Sequence, residues 1–229
     1  MVKLIFLCRR RPDITHEAYA RLLLKGHVPI ALRHHPAMRK YVVNIVEQSP
    51  PGGAELDSIG ELSFASLDDF RQRLYDSPEG ERIVHEDVAR FMGGADAYAT
   101  TEHVQKSLIP PPALGARSPG VKMICPVRRQ GGMSHEEFAE HWLTRHVPLA
   151  LEHHPHLTKY VTNVVDRRLS ETAEDWDGFA ELHFATLEDA TQRMFPSAES
   201  ERIIREDIAR FLSRAIPYRV AEYPQKREC

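Results

Sequence analysis

His146 follows Trp142 by four residues and Phe138 by eight, so on a helix the three side chains share one face, apolar except for the imidazole. Tyr19, Leu23 and His27 repeat the spacing earlier in the chain. An imidazole held between a helix and an apolar layer exchanges protons near neutral pH with little tuning, which is the work of a general acid or base. A satisfied core histidine has the same placement, and its recurrence adds nothing if the segment is duplicated. Tyr160 is the next candidate, because a phenol can hold an enolate oxygen while its ring packs. Asn163 lies three residues further on along the same extended run and must face the other side. His141, Trp142, Phe138, Glu181, His183 and Asp207 complete the groups that could reach the same wall, and His27 and Tyr41 are the earlier counterparts. Glu181 reads equally well as a partner of a histidine or as a solvent-facing carboxylate.

These residues sit on a chain that repeats itself. Val2-Lys3-Leu4-Ile5 returns as Val121-Lys122-Met123-Ile124, and His27-Val28-Pro29 returns as His146-Val147-Pro148, at an offset of 119. Gly60-Glu61-Leu62 answers Ala180-Glu181-Leu182 at an offset of 120, so one residue is inserted in the loop before the third strand. Each copy reads as strand, helix, strand, strand, helix, strand. Ser134 with Glu137 forms a capping box, and Thr15 starts the matching helix. Pro29 and Pro148 lack an amide hydrogen and are expected to kink or end these helices. The expected units are residues 1–105, a Pro-rich connector over 106–120, and residues 121–229. The β-α-β-β-α-β order is the ferredoxin-like split unit, whose sheet leaves one face bare. The predicted fold is therefore α+β: two ferredoxin-like βαββαβ repeats packed sheet to sheet as a pseudo-dimer within one polypeptide.

Composition narrows the partners. A net charge of −3 gives no field to gather nucleic acid or acidic lipid, and Arg9-Arg10-Arg11 reads as a solvated loop. There is no apolar run of the ~18 residues that a membrane helix needs. The five apolar residues Leu4 to Cys8 fall short of the ~7–15 of a signal core. Cys8, Cys125 and Cys229 show no pair spacing, which fits reduced thiols in a cytoplasm. His153-His154-Pro155-His156 and His34-His35-Pro36 invite a metal reading, but adjacent side chains diverge and no further ligand completes a set, so no metal site is expected.

The ordered run Phe138-x-x-His141-Trp142-x-x-x-His146-x-Pro148-Leu149 resembles the signature of the EthD domain family, within the dimeric α+β barrel superfamily. The first copy keeps Tyr19, His27, Pro29 and Ile30 but carries Leu22-Leu23 where the second has His-Trp. The resemblance implies an intramolecular dimeric α+β barrel with a pocket between helices and sheet in each unit. It also implies small enzymes of aromatic or polyketide metabolism that cyclise, dehydrate or decarboxylate without a cofactor, while other branches are monooxygenases, isomerases or haem proteins. The expectation is a cofactor-independent acid–base enzyme, cyclase, dehydratase or lyase in type, acting on a small hydrophobic or aromatic substrate in the second-copy pocket. In it His146 moves the proton, Tyr160 steadies the oxyanion, and His141 with Trp142 shapes the wall. The alternatives are a non-catalytic carrier of a hydrophobic metabolite, a haem or monooxygenase branch with His146 as axial ligand, and a first-copy pocket that is specialised rather than dead. Pairing of two such chains through exposed sheet edges is left open.

Overall fold

Thr15 opens α1 (His16–Arg21) by accepting from the Ala18 amide, and Ser134 opens α5 (His135–His141) with the full reciprocal box to Glu137. These starts stand as the sequence predicts in a computed structural model that describes residues 1–228; Cys229 lies outside the described residues. The prolines do not end the helices. Each helix passes through a π-helical turn, Leu22–His27 or Trp142–His146, and continues as α2 (Val28–His34) or α6 (Val147–His153). The Val28 and Val147 amides reach back five residues, to Leu23 O and Trp142 O. This wider turn admits the pyrrolidine ring without breaking the helix. It also corrects the alignment: side chains four apart drift by about 40° per step on a strict α-helix, and the wide turn keeps Tyr19, Leu23 and His27 pointing at the sheet.

The strands of the first half are β1 (Val2–Arg10), β2 (Lys40–Gln48), β3 (Ser58–Phe64) and β4 (Met92–Ser107), with α3 (Leu67–Arg73) and α4 (Pro78–Val88) between the last two. The second half has β5 (Val121–Arg129), β6 (Leu157–Arg168), β7 (Gly178–Phe184), α7 (Leu187–Thr191), α8 (Ala198–Phe211), β8 (Leu212–Ala215) and β9 (Tyr218–Lys226). The two sheets join at their edges. β4 pairs with β1 and with β6, β9 pairs with β5 and with β2, and β5–β7 completes a closed antiparallel barrel of eight strands, with β8 alongside β5. The final strand of each half is therefore shared by both. Arg9 and Arg10 are strand residues, bonded to Asp96 and Asp57, rather than a solvated loop.

Alternation along each strand sorts residues between two layers. Leu4, Cys8, Tyr41, Val43 and Phe64 face the first-half helices; Val127, Tyr160, Val164 and Phe184 face the second-half helices. Ile5, Ile59, Tyr98, Ile124, Phe179 and Tyr218 fill the barrel interior.

Candidate active site

In the second half the predicted residues meet, but they leave no room. His146 Nδ1 and His141 Nε2 each lie 2.9 Å from an oxygen of Asp207 on α8. Burial works against that carboxylate, and the two imidazole contacts outweigh it, holding Asp207 below its ordinary value. The His146 ring lies 5.0 Å from Phe211, and His141 stacks on the same ring at 4.8 Å. Trp142 donates its indole N–H to the Tyr160 hydroxyl at 2.9 Å, and both are almost fully buried. The indole lies against the backbone of Gly178, where an added Cβ would collide with it. A strand glycine here makes space for a large side chain. The expected second-copy pocket is thus filled by Trp142 with Phe138 and Phe211, and Tyr160 is a packed core phenol. His141 lies towards an open polar groove with Glu140, Arg145 and Arg210. The Asp207 bond to Nδ1 leaves His146 Nε2 its lone pair, and the buried ring rests against Phe211.

The cavity lies in the first half. It measures about 350 Å³ and is apolar, walled among others by Phe6, Leu23, Phe70, Leu74, Val88 and Met92. Leu23 stands where the second half has Trp142, and Ser58 where it has Gly178. The smaller side chain opens the space, and Ser58 instead bonds to the Tyr19 hydroxyl at 2.7 Å. Five other polar side chains reach this wall: His27, His35, Tyr41, Tyr75 and Cys8. His27 Nδ1 lies 3.2 Å from Asp87 Oδ2; a carboxylate only accepts, so Nδ1 carries the hydrogen and Nε2 keeps the lone pair. Burial lowers His27 from its ordinary value, partly opposed by the bond to Asp87, so the ring is neutral and competent as a base at pH 7. Burial raises the Tyr41 phenol, which stays protonated and able to donate. The Cys8 thiol is pushed up to about 11, also by burial, and is no nucleophile at neutral pH.

Glu181 and His183 belong elsewhere. Both point into the barrel, on the face opposite Tyr160 and the helices. There Lys3 Nζ lies 2.6 Å from Glu61 and 2.7 Å from Glu102, and also contacts Glu181. Lys122 Nζ lies 2.6 Å from Glu61 and 2.8 Å from both Glu181 and Glu222. Asn44 donates to Glu61 and Asn163 to Glu181. Glu61 is held at about 2 although burial and Glu181 oppose ionisation, because Lys122 and Lys3 more than offset them. Burial and then the Lys122 ammonium push His183 down to about 3, and its Nε2 has no partner among the described residues. Glu181, His183 and Glu222 bring ligand atoms within 4.8 Å of one another, but the Lys122 ammonium is already bonded to both carboxylates. The histidine runs diverge: His153 meets Ser200, His154 meets Met194 O, and His34 meets Asp76.

Sequence reasoning passed over Asp87, His35 and the lumen lysines. The signal for the lysines was present: Lys3 and Lys122 occupy equivalent places in apolar strands, matched by Glu61 with Glu181 and Glu102 with Glu222. His35 lay hidden in a discounted metal motif.

The whole chain shares its fold with solved proteins of low sequence identity. An anthrone oxidase-like protein superposes with a TM-score of 0.62 at 12% identity, over 100% of this chain and 94% of that one. A candidate monooxygenase from Fusobacterium nucleatum subsp. nucleatum gives 0.64 at 6%, over 99% and 94%. A candidate chlorite dismutase gives 0.53 at 10%, over 96% and 94%. No curated protein matches the chain in sequence. The EthD domain profile matches residues 11–95 and again 130–215, spanning the helices and central strands of both halves. The chain therefore belongs to the EthD domain family, with two such domains in one polypeptide.

Proposed function

We propose that the first half is the working site of an enzyme that takes a proton from an aromatic carbon acid and passes the resulting enolate to dioxygen. The observation that carries this reading is the pairing, in one apolar cavity of about 350 Å³, of a neutral His27 oriented by Asp87 with the Tyr41 phenol, which has no hydrogen-bond partner among the described residues. The volume lies near the lower end of small-molecule sites and suits a ligand of a few fused rings. His27 Nε2 removes a proton from an activated methylene, and Asp87 steadies the imidazolium that forms. Tyr41 donates to the enolate oxygen against a largely apolar wall, where one positioned donor is worth more than in solution. Reaction with dioxygen then converts the methylene to a carbonyl, with one oxygen atom retained and the other leaving as water. The names borne by proteins of the same fold, an anthrone oxidase-like protein and candidate monooxygenases, favour dioxygen as acceptor over the cyclisation or elimination expected from the sequence.

The test is oxygen uptake with anthrone and related arenes. His27→Ala is expected to lower turnover by about 10²–10⁴-fold with ligand affinity little changed, whereas His146→Ala leaves turnover intact. Turnover that survives His27→Ala, or binding without conversion by the wild type, overturns the reading; the latter marks a carrier.

A further inference from the structure

One polar group on the cavity wall takes no part in this proton transfer. His35 follows α2 and is 5% exposed, with Nδ1 2.9 Å from Leu74 O. A carbonyl only accepts, so Nδ1 carries the hydrogen and Nε2 of the neutral ring keeps its lone pair. The ring lies 5.3 Å from that of Tyr75 at 47°, so both an anchor and a neighbour fix its plane. Among the described residues no donor meets Nε2, and it is not one of the sealed polar atoms either, so the lone pair opens on the cavity. His154 repeats the anchor in the second half, 3.0 Å from Met194 O, where Trp142 fills the space. The Nδ1 bond is thus part of the scaffold, and what the first half adds is the apolar cavity on which the His35 ring stands.

The cavity then offers one acceptor, His35, and one donor, Tyr41, in surroundings otherwise apolar but for His27, the Cys8 thiol, the Ser58 hydroxyl and the Tyr75 phenol, which is engaged with His85. We propose that it selects hydroxylated aryl ketones, whose phenolic hydroxyl donates to His35 Nε2 while the carbonyl accepts from Tyr41; this rests on the first-half cavity being the working site. A ligand without the hydroxyl would displace water from Nε2 and leave the lone pair buried and unmatched, which penalises it more than the loss of one contact. His35 is a specificity and positioning residue here, and His27 remains the base.

The test uses the full chain and isothermal titration calorimetry with the hydroxytetralone isomers, their methyl ethers and unsubstituted tetralone. At least one hydroxytetralone is expected to bind about tenfold or more tighter than its ether and the parent ketone. His35→Leu should level that difference, and His35→Gln, whose amide oxygen can accept, should keep part of it. Equal affinity for phenol and ether, failure of every hydroxytetralone to bind, or an unaltered preference in His35→Leu overturns the proposal. If His35→Leu does not fold, the wild-type series and His35→Gln decide it. A hydroxyl preference without any oxygen uptake, for these ligands or for anthrone, removes the proposed reaction and leaves the recognition standing. Uptake indifferent to the hydroxyl does the reverse.

Discussion

The two halves share a strand order, a π turn, a proline and a histidine–aspartate pair, and differ in what lies beside that pair. In the second half Trp142 reaches over Gly178 and bonds to Tyr160, closing the space. In the first, Leu23 and Ser58 occupy those positions and a cavity remains. The half with the complete family signature is the sealed one. A signature records side chains that are present, whereas a binding site is volume left unfilled, and these are independent properties of a core.

That contrast should vanish in the barrel lumen, where each half contributes one lysine to a common set of carboxylates. Lys3→Met and Lys122→Met are both expected to cost about 3–5 kcal/mol in urea unfolding, because each strands buried carboxylates. Markedly unequal costs would show that one half anchors the lumen. Next in size, Trp142→Leu should lose about 2–4 kcal/mol and open a second apolar cavity, detectable as new binding of small arenes. Stability lost without new binding would mean that the half collapses onto the gap. Leu23→Trp should close the first cavity and abolish ligand binding at a cost of about 1–3 kcal/mol from overpacking against Ser58. Adding Ser58→Gly should restore most of that stability while the cavity stays shut; if it does not, the two substitutions are not the complementary pair that the second half displays. The smallest effect is on pH dependence. Burial lowers His27, and its neutral form is the active one, so turnover should rise with pH through a midpoint below the ordinary ~6.5 and then level off. Asp87→Asn removes a group that favours the imidazolium and should move that midpoint lower still; a midpoint above the ordinary value would contradict the burial of the base.

The fold was legible because its signals are local and occur twice: Ser134 with Glu137, Thr15, and the alternation of β6 and β7 each state an element without help from distant residues. Strand parity also separated Tyr160 from Asn163 correctly. It carried the information for Glu181 and His183 as well, since both share parity with Phe179, but which face of a strand meets helices and which meets the lumen depends on barrel closure. The cavity was illegible for another reason. Leu23 against Trp142 reads as the loss of a motif letter, and only the volume of an indole set against a glycine backbone shows that the fuller motif blocks its own pocket. Asp87 and His35 come from segments far from their partners in sequence, so no spacing rule brings them together.

The covalent joining of the halves has a consequence for how such a site can change. In an assembly of two identical chains every substitution is made twice, so a tryptophan that plugs one pocket plugs both, and a void that weakens one core weakens both. With both halves on one chain, Trp142 can act as ballast while Leu23 keeps its counterpart hollow. Because β4 and β9 each run through both halves, firmness gained on one side is lent to the other.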